Sequence, residues 1–379
     1  MNNNIPENYK LTEVGVIPMD WEVKSIKQVA PLQRGFDLPN RNLQMGIYPV
    51  VYSNGIVNYH NKFQAKAPGI ITGRSGTIGK VTFVDVDYWP HNTTLWVTDF
   101  KNNNPKFIFY LFLKIKLERF SSGSGVPTLN RNDVHEFQIP LPKITEQTAI
   151  ATALTEADAL INGIEKLIAK KRDIKHGAMQ KLLSPTEGWV VKEFGELTEQ
   201  IVGGGTPSRI NPLFWGNEIP WVTVKDFATF DPIQTQEYIT KEGLKNSASH
   251  LIPKGIIITS TRMALGKAVI YEVDVSINQD LKAIFLKKNV DTKFFFYWFQ
   301  FNSKFIADLG SGSTVMGLSL PDLRKIKVAL PTLEEQTRIA TILSDMDAEI
   351  AILEKKLEKY RAVKAGMMQN LLTGQIRLV

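Results

Sequence analysis

The 379-residue sequence contains no cysteine, which excludes a disulfide framework, a thiolate metal site and a cysteine nucleophile. Its apolar runs, such as Phe294–Phe301, are too short to span a bilayer. The N-terminal residues lack the basic-then-apolar pattern of a signal peptide, so we expect a cytoplasmic protein. No run of like charge is present, and the net charge of +7 permits a polyanionic partner without requiring one.

Catalytic signatures are also missing. Residues 73–80 are similar to a phosphate-binding loop, but Val81 stands where a Ser or Thr would meet magnesium. Asn211–Phe214 shares Asn-Pro with a motif of amino-methyltransferases but lacks its second proline, and we interpret it as a turn. The 5 histidines show no metal-ligand spacing. We therefore expect no catalytic residue and no metal site in this chain.

An internal repeat organises the sequence. A segment of 43 residues that begins at Leu141 aligns without a gap with one that begins at Leu330, and 22 of the 43 positions are identical. The period is too long for a solenoid, so it indicates the duplication of a domain-sized unit. Thr145 and Thr332 are candidate N-caps, and both segments predict long helices.

Both predicted helices carry apolar residues at steps of three and four, the heptad pattern of a coiled coil. Identical seams in one chain favour packing of the two helices against each other, although two amphipathic helices on separate cores would show the same pattern. A helix of about 38 residues is roughly 57 Å long. The predicted seam consists of Ile150, Leu154, Ile161, Ile164, Ile168, Ile339, Leu343, Met346, Ile350, Leu353 and Leu357.

The segments that precede the two helices are related more loosely. Each opens with a tryptophan, Trp21 or Trp189, and continues into alternating strands broken by Gly, Asn and Pro. This pattern indicates compact α+β domains. We therefore predict an α+β fold in which two domains, 1–140 and 185–329, alternate with two long helices, 141–184 and 330–379, as a pseudo-twofold internal repeat.

Short motifs recur at corresponding places in the two halves. Each helix starts with Leu-Pro-x-x-x-Glu-Gln-Thr and ends with Lys-x-Gly-x-Met-Gln-x-Leu-Leu, at Lys175–Leu183 and at Lys364–Leu372. Tyr48–Ile56 in the first domain and Trp215–Trp221 in the second add to the pattern. Together with the alternating layout, these motifs resemble the specificity subunit of type I restriction–modification systems over essentially the whole chain.

The resemblance implies that each α+β domain is a target-recognition domain for one half of a split, asymmetric DNA sequence. It implies that the two helices pair antiparallel as a coiled coil, set the spacing of the half-sites and dock two methyltransferase subunits. Restriction subunits, which are motor–nucleases, would join this assembly. The chain itself would bind no cofactor, and S-adenosylmethionine, ATP and magnesium would belong to the partner subunits.

Reading DNA requires side chains that bond to base edges and others that hold phosphates. Arg and Lys suit guanine, Asn and Gln suit adenine, and Ser or Thr suits either role. Arg74 and Arg262 are the strongest candidates, because each lies between Ile-Thr and a Gly-Lys pair. The other candidates in the first domain are Arg34, Asn54, Asn58, His60, Ser75, Lys80, His91 and Asn92. Those in the second domain are Arg209, Lys225, Thr261, Lys267, Asn278, Gln279 and Ser313. An ordinary solvated residue is the alternative for each.

Identical residues also occur outside the heptad seam, where helix pairing does not require identity. We interpret them as a duplicated surface for a duplicated protein partner, although capping and the helix dipole explain part of the identity. They are Glu146, Gln147, Thr148, Glu335, Gln336 and Thr337.

Two other classes of function stay open at this point. An enzyme with cryptic methyltransferase or nuclease motifs predicts that the isolated chain binds S-adenosylmethionine or magnesium. A coiled-coil scaffold without a DNA role predicts that replacing Arg74 or Arg262 by alanine changes nothing in target choice.

Overall fold

The computed structural model describes residues 5–122, 127–311 and 317–378. The chain forms two compact units, one of residues 1–166 with 355–379 and the other of residues 167–354. Each unit contains one α+β domain and segments of two long helices. No helix in these described ranges is long and apolar enough to cross a membrane.

The first domain is built mainly of short strands. Its strands are β1 Tyr9–Thr12, β2 Gly15–Pro18, β3 Glu22–Ser25, β4 Leu32–Arg34, β5 Tyr48–Tyr52, β6 Gly55–His60, β7 Gly69–Gly73, β8 Val81–Val84, β9 Trp89–Pro90, β10 Thr94–Val97, β11 Ser121–Ser122, β12 Thr128–Leu129 and β13 Gln138–Leu141. Its helices are α1 Ile26–Val29, α2 Pro105–Ile115 and α3 Arg131–His135. The two largest sheets have the orders β4-β10-β7-β8 and β6-β5-β9.

The aromatic helix α2 carries the core of this domain. It begins at the N-cap Asn104, whose side chain accepts hydrogen bonds from the backbone N–H groups of Lys106 and Phe107, with Pro105 at the first helical position. Phe107 and Phe112 are buried in the same cluster as Trp21. Burying one such side chain contributes about 1.5–3 kcal/mol, so α2 fixes the sheet on one side.

The long helices follow the pattern that the repeat predicts. The first long helix, α4, is Ile144–Leu182. It comes directly after strand β13, which pairs antiparallel with β3.

The second domain has the same plan. Its strands are β14 Val190–Glu193, β15 Thr198–Gly203, β16 Trp215–Val222, β17 Glu237–Ile239, β18 Leu251–Ile252, β19 Ile257–Ser260, β20 Ala268–Ile270, β21 Val275–Ile277, β22 Leu281–Leu286 and β23 Lys327–Leu330. Its helices are α5 Phe194–Leu197, α6 Lys241–Lys245, α7 Thr292–Phe301, α8 Ser303–Ser311 and α9 Leu320–Lys325, and the second long helix, α10, is Leu333–Leu371.

The sheet topology of the two domains is equivalent. The order β15-β22-β19-β20 repeats β4-β10-β7-β8, and β17-β16-β21 repeats β6-β5-β9, with β18 added at one edge. In both small sheets one pair is parallel, β5 with β9 and β16 with β21. The divergent sequences therefore fold into one duplicated scaffold, which confirms the predicted α+β repeat.

Ion pairs between the two long helices show that they run antiparallel. In the first unit Lys364 pairs with Asp158 and Arg361 with Glu165, so the number along α10 falls as the number along α4 rises. In the second unit Lys175 pairs with Asp347 at 2.6 Å and Arg172 with Glu354 at 2.5 Å.

The predicted seam divides into two parts. Ile161, Ile164, Ile168, Ile350 and Leu357 are buried, whereas Met346 and Leu353 are half-buried. The first two positions of each copy belong instead to the cores of the domains, Ile150 and Leu154 in the cluster of Trp21 and Ile339 and Leu343 in that of Phe194. Each long helix therefore packs first on its own domain and then on the other helix, so both packing interpretations hold for part of the seam.

Candidate nucleic-acid interface

Two loops of the first domain bring several of the predicted DNA-binding residues together at one end of a sheet. Arg74 and Ser75 follow β7, and their backbone N–H groups donate to the carbonyl oxygen of Thr93 at 2.8 and 3.2 Å. Thr93 lies in the loop before β10, beside His91 and Asn92. Because β7 and β10 are neighbours in the sheet, these hydrogen bonds hold the two loops side by side.

The hairpin between β5 and β6 lies against the same loops. The ring of Tyr52 is 4.3 Å from the ring of His91, and Asn58 Nδ2 donates to the Tyr52 hydroxyl at 3.3 Å. Lys80 Nζ donates to the carbonyl oxygen of Asn54 at 2.5 Å. Burial lowers the pKa of His91 against a smaller opposing effect of Asp37, so its imidazole is neutral near pH 7 and can both donate and accept.

Arg34 lies at the end of β4, on the other side of β10. Its guanidinium is 3.7 Å from a carboxylate oxygen of Asp37, which also accepts a hydrogen bond from Asn92. The side chains of Arg34 and Asp37 are 53% and 72% exposed, so this ion pair is weak and leaves Arg34 able to bind an anion.

The corresponding loops of the second domain carry Arg262, which follows β19. The backbone N–H of Thr261 donates to the carbonyl oxygen of Asp280 at 3.1 Å, as Arg74 does to Thr93 in the first domain. The Arg262 guanidinium lies 3.7 Å from the Asp280 carboxylate, and its side chain is 69% exposed. Arg74 and Arg262 thus occupy corresponding loops, but only Arg262 faces a carboxylate.

Arg209 has a different setting from the other candidates. Both of its terminal nitrogens donate to Glu237, at 2.5 and 3.0 Å, and its guanidinium lies 3.6 Å from the centre of the Trp215 ring. The ion pair raises the pKa of Arg209 and lowers that of Glu237. Two of its nitrogens are therefore engaged within the domain, and its guanidinium packs against the Trp215 ring, although the side chain is 54% exposed.

Three other candidates of the second domain are exposed. Gln279 accepts a hydrogen bond from the Thr206 hydroxyl at 2.5 Å. Lys225 and Lys267 use their backbone N–H groups in turns, and within the described part of the chain neither side chain forms an ion pair. Lys225 and Lys267 thus carry exposed positive charges.

Three predicted DNA-binding residues are buried, and the expectation that they present polar atoms to a ligand is wrong. His60 is bonded to the backbone of Gln44, Thr261 to the carbonyl oxygen of Asp280, and Asn278 to the side chain of the same aspartate. They stabilise the loops from within. Ser313 lies outside the described residues.

Three of the residues predicted as a partner surface are also interior. Gln147 is 2% exposed; its side chain accepts from the backbone N–H of Asn104 and donates to the carbonyl oxygen of Pro142. Gln336, also 2% exposed, makes the same pair of hydrogen bonds with Asp291 and Pro331. Their identity in the repeat therefore reflects a duplicated internal contact, and the surface interpretation is wrong for them.

Glu146 is the third of these interior residues. It is 2% exposed, accepts from the indole N–H of Trp21 at 2.8 Å, and binds the Arg377 guanidinium through both of its oxygens. Glu335, its counterpart in the second copy, is half-buried and pairs with Arg338. Thr148 and Thr337 are exposed, next to the N-cap residues of α2 and α7, and of the six predicted positions only these two lie fully at the surface.

The residues that join each domain to both helices were not among the predicted site residues. The hydroxyl of Tyr110 on α2 donates to Asp158 on α4 at 2.8 Å, and Lys364 on α10 binds the other oxygen of that carboxylate. The hydroxyl of Tyr297 donates to Asp347 at 2.8 Å, and Lys175 binds its other oxygen at 2.6 Å. The identical aspartates and lysines of the aligned repeat were the signal that could have revealed this contact.

Metal-ligating side chains are not clustered in the residues that the structure describes. Across 5–122, 127–311 and 317–378, no group of three or more His, Asp or Glu side chains could hold a metal ion. The loops instead present guanidinium, ammonium, amide and imidazole groups, which are donors for phosphates and base edges.

Two copies of one scaffold, each followed by a long helix, define a class of duplicated two-domain protein, and the comparisons assign its family. The family model for the type I restriction modification DNA specificity domain matches residues 18–175 and again residues 186–360. The chain therefore belongs to the specificity subunits of type I restriction–modification systems, which are the non-catalytic subunits of those enzymes.

Relatives of known name agree with this assignment along most of the chain. The type I restriction enzyme MjaX specificity subunit of Methanocaldococcus jannaschii is 28% identical over 98% of this chain and 97% of that protein. The EcoR124I/EcoR124II specificity subunit of Escherichia coli is 27% identical over 80% of this chain and 81% of that protein. A crystal structure of the S subunit from M. genitalium shares the fold, with a TM-score of 0.67 at 18% identity over 98% of this chain and 97% of that one.

Proposed function

We propose that the first and second α+β domains each read one half of a split, asymmetric DNA target. The observation that carries this proposal is the combination of one sheet order with different side chains at corresponding loops. Two equal readers would bind the same half-site twice, whereas unlike loops on a duplicated scaffold select two different sequences. The domains proposed as readers are residues 1–140 and 185–329.

Within each reader, we assign the base and phosphate contacts to the candidates that are exposed or only half-buried. In the first domain these include Arg34, Asn54, Arg74, Lys80 and Asn92. In the second domain Lys225, Arg262, Lys267 and Gln279 have the same role. Their position supports this assignment, because they lie on loops whose backbones are hydrogen-bonded to neighbouring loops. Such loops can hold a side chain in a defined position relative to the DNA bases.

The helices 141–184 and 330–379 set the spacing of the two half-sites and bind the methyltransferase subunits. Each helix is roughly 57 Å long, which corresponds to about 17 base-pair steps, and this length is an upper guide to the separation of the half-sites. The repeat offers equivalent surfaces, including Thr148 and Thr337, to two methyltransferase subunits. Restriction subunits then complete the complex in the cytoplasm, and S-adenosylmethionine, ATP and magnesium bind to the partner subunits.

Mapping adenine methylation tests the proposal. The chain is co-expressed with its methyltransferase subunit in a host that has no DNA methylation, and single-molecule sequencing locates N6-methyladenine. We expect one asymmetric motif made of two specified parts and a fixed gap of unspecified bases. A host that expresses the methyltransferase subunit alone is the control. A continuous motif, or the same motif without this chain, would contradict the proposal.

A further inference from the structure

A cavity in the first domain is surrounded by three arginines. Its volume is about 460 Å³, and no carboxylate lines it. The lining residues are Arg34, Arg74, Leu95, Thr128, Leu129, Asn130 and Arg131. Arg131 is not among the residues that the sequence analysis selected.

Three separate elements bring the guanidinium groups to this cavity. Arg34 ends β4 and lies opposite Leu95 of β10. Arg74 directly follows β7, and its carbonyl oxygen accepts from the backbone N–H of Leu129 at 2.8 Å. Arg131 is the first residue of α3, whose N-cap is Asn130. The cluster thus depends on the tertiary fold, since the three residues are far apart in sequence.

The positive charge of the cavity is not neutralised within the described part of the chain. Arg74 and Arg131 form no ion pair with any residue of 5–122, 127–311 or 317–378, and Arg34 is only within 3.7 Å of the exposed Asp37. Like charges around one cavity repel each other, and a bound anion relieves that repulsion. The geometry therefore favours an anionic ligand.

The second domain does not repeat this cluster. Gly203 lies opposite Lys282 as Arg34 lies opposite Leu95, and Leu320 is the first residue of α9 as Arg131 is of α3. Thr261 takes the place of Arg74, since its backbone N–H bonds to Asp280 as that of Arg74 bonds to Thr93. Among the described residues the cations at this end of the second domain include Arg262, which faces Asp280, and Lys282, which lies opposite Gly203. The duplicated scaffold folds without the three arginines, so their presence in the first domain calls for a ligand specific to that domain.

We propose that Arg34, Arg74 and Arg131 together clamp one phosphate group of the DNA backbone beside the half-site that the first domain reads. This inference rests on the proposed function. A guanine edge offers two neutral acceptors, which one guanidinium satisfies, whereas a phosphate carries a full charge and accepts from several guanidiniums at once. The clamp fixes the register of the first domain on the duplex and contributes no sequence information.

Replacing Arg131 by alanine tests the clamp in the complex of the full chain with its methyltransferase subunit. The dissociation constant is measured over a range of salt concentrations on the wild-type target and on targets with single changes in the first half-site. We expect binding to weaken about tenfold at ~0.1 M salt, equally on every target, and the log–log salt slope to fall by about 1. Arg131→Lys should retain most of the slope.

The matched control is Lys27→Ala, which removes one exposed positive charge of the same domain from outside the cavity. It should leave the slope unchanged, and Arg74→Ala should repeat the effect of Arg131→Ala. A loss confined to one base pair would assign Arg131 to base reading, and an unchanged slope would show no phosphate contact; either result overturns the clamp. Tight binding of inorganic phosphate by the free complex, with no change in DNA affinity in the variants, would also overturn it.

The same experiment separates this inference from the function on which it rests. If the wild-type complex binds a split target and Arg131→Ala has no effect, only the clamp fails. If the wild-type complex distinguishes no target at all, the two-reader proposal fails.

Discussion

The two α+β domains agree where they meet the long helices and differ where their sheets end in loops. At the helices, Tyr110 with Asp158 and Tyr297 with Asp347 form the same hydrogen bond at 2.8 Å. At the loops, three arginines line a cavity of the first domain, whereas the described residues at the corresponding end of the second domain include Lys282 and an arginine that faces an aspartate. The comparison teaches that duplication has preserved the contacts that hold each domain on the helices, while the ligand-binding ends have diverged.

One contact at the helices departs from this symmetry. Glu146 and Glu335 occupy the same position of the repeat, but Glu146 is buried with Trp21 and Arg377, whereas Glu335 pairs locally with Arg338. Arg377 also binds both carboxylate oxygens of Asp20, at 3.0 and 3.1 Å, and thereby lowers the pKa of Asp20. The C-terminal segment thus adds contacts to the first unit that have no counterpart among the described residues of the second copy.

The largest expected effect comes from breaking this asymmetric contact. Arg377→Leu removes the partner of a buried carboxylate, which costs about 3–5 kcal/mol. Arg338→Leu is the matched change in the second unit and removes only a surface ion pair, which costs about 0.5 kcal/mol. Denaturant unfolding measures both values. Equal destabilisation by the two substitutions would contradict the difference between the units.

The next effect tests a contact that the two units share. Gln147→Leu leaves the backbone N–H of Asn104 and the carbonyl oxygen of Pro142 without partners, and Gln336→Leu does the same to Asp291 and Pro331. Each change should destabilise its own unit by about 2–4 kcal/mol, since each buried unpaired group costs about 1–3 kcal/mol. Hydrogen exchange measures each unit separately. A large loss in one unit and none in the other would argue against an equivalent contact.

A smaller effect concerns alkaline pH. Burial is the main reason why the pKa of Tyr110 is raised to about 12; the hydrogen bond to Thr155 opposes this shift, and the hydrogen bond and charge of Asp158 add to it. The folded state therefore keeps a proton that the unfolded chain loses near pH 10, so this stabilisation is complete below pH 10 and disappears as the pH rises to about 12.

Tyr110→Phe provides the control, because it removes the titrating hydroxyl and leaves the ring in place. The fall in stability between pH 10 and pH 12 should become shallower in this variant, as measured by thermal unfolding across that range. An unchanged pH dependence would show that Tyr110 ionises freely in the folded protein.

Much of the fold was predictable from the sequence because the repeat preserves it. The heptads predicted the two long helices, and Ile-Thr before Gly-Lys located the loops of Arg74 and Arg262 at the ends of corresponding strands. Local patterns of this kind record backbone conformation and burial on one face of an element.

The side chains that were predicted wrongly or not predicted at all depend on contacts with residues far away in the sequence. Glu146 is buried because Arg377 covers it, and Arg131 joins Arg34 and Arg74 only through the packing of α3 against the sheet. Neither contact leaves a local pattern. The repeat showed that Gln147 and Gln336 are constrained, but identity alone could not distinguish an internal hydrogen bond from an external partner.

The most direct test of the two-reader account compares the methylation motifs of Asn54→Ala, which lies outside the phosphate clamp, and Arg262→Ala, each co-expressed with the methyltransferase subunit in a methylation-free host. The account predicts that Asn54→Ala relaxes or abolishes recognition of one half-site only, and that Arg262→Ala does so for the other half-site only, with the gap unchanged in both. Loss of both half-sites from either single substitution, or an unaltered motif in both variants, would contradict it.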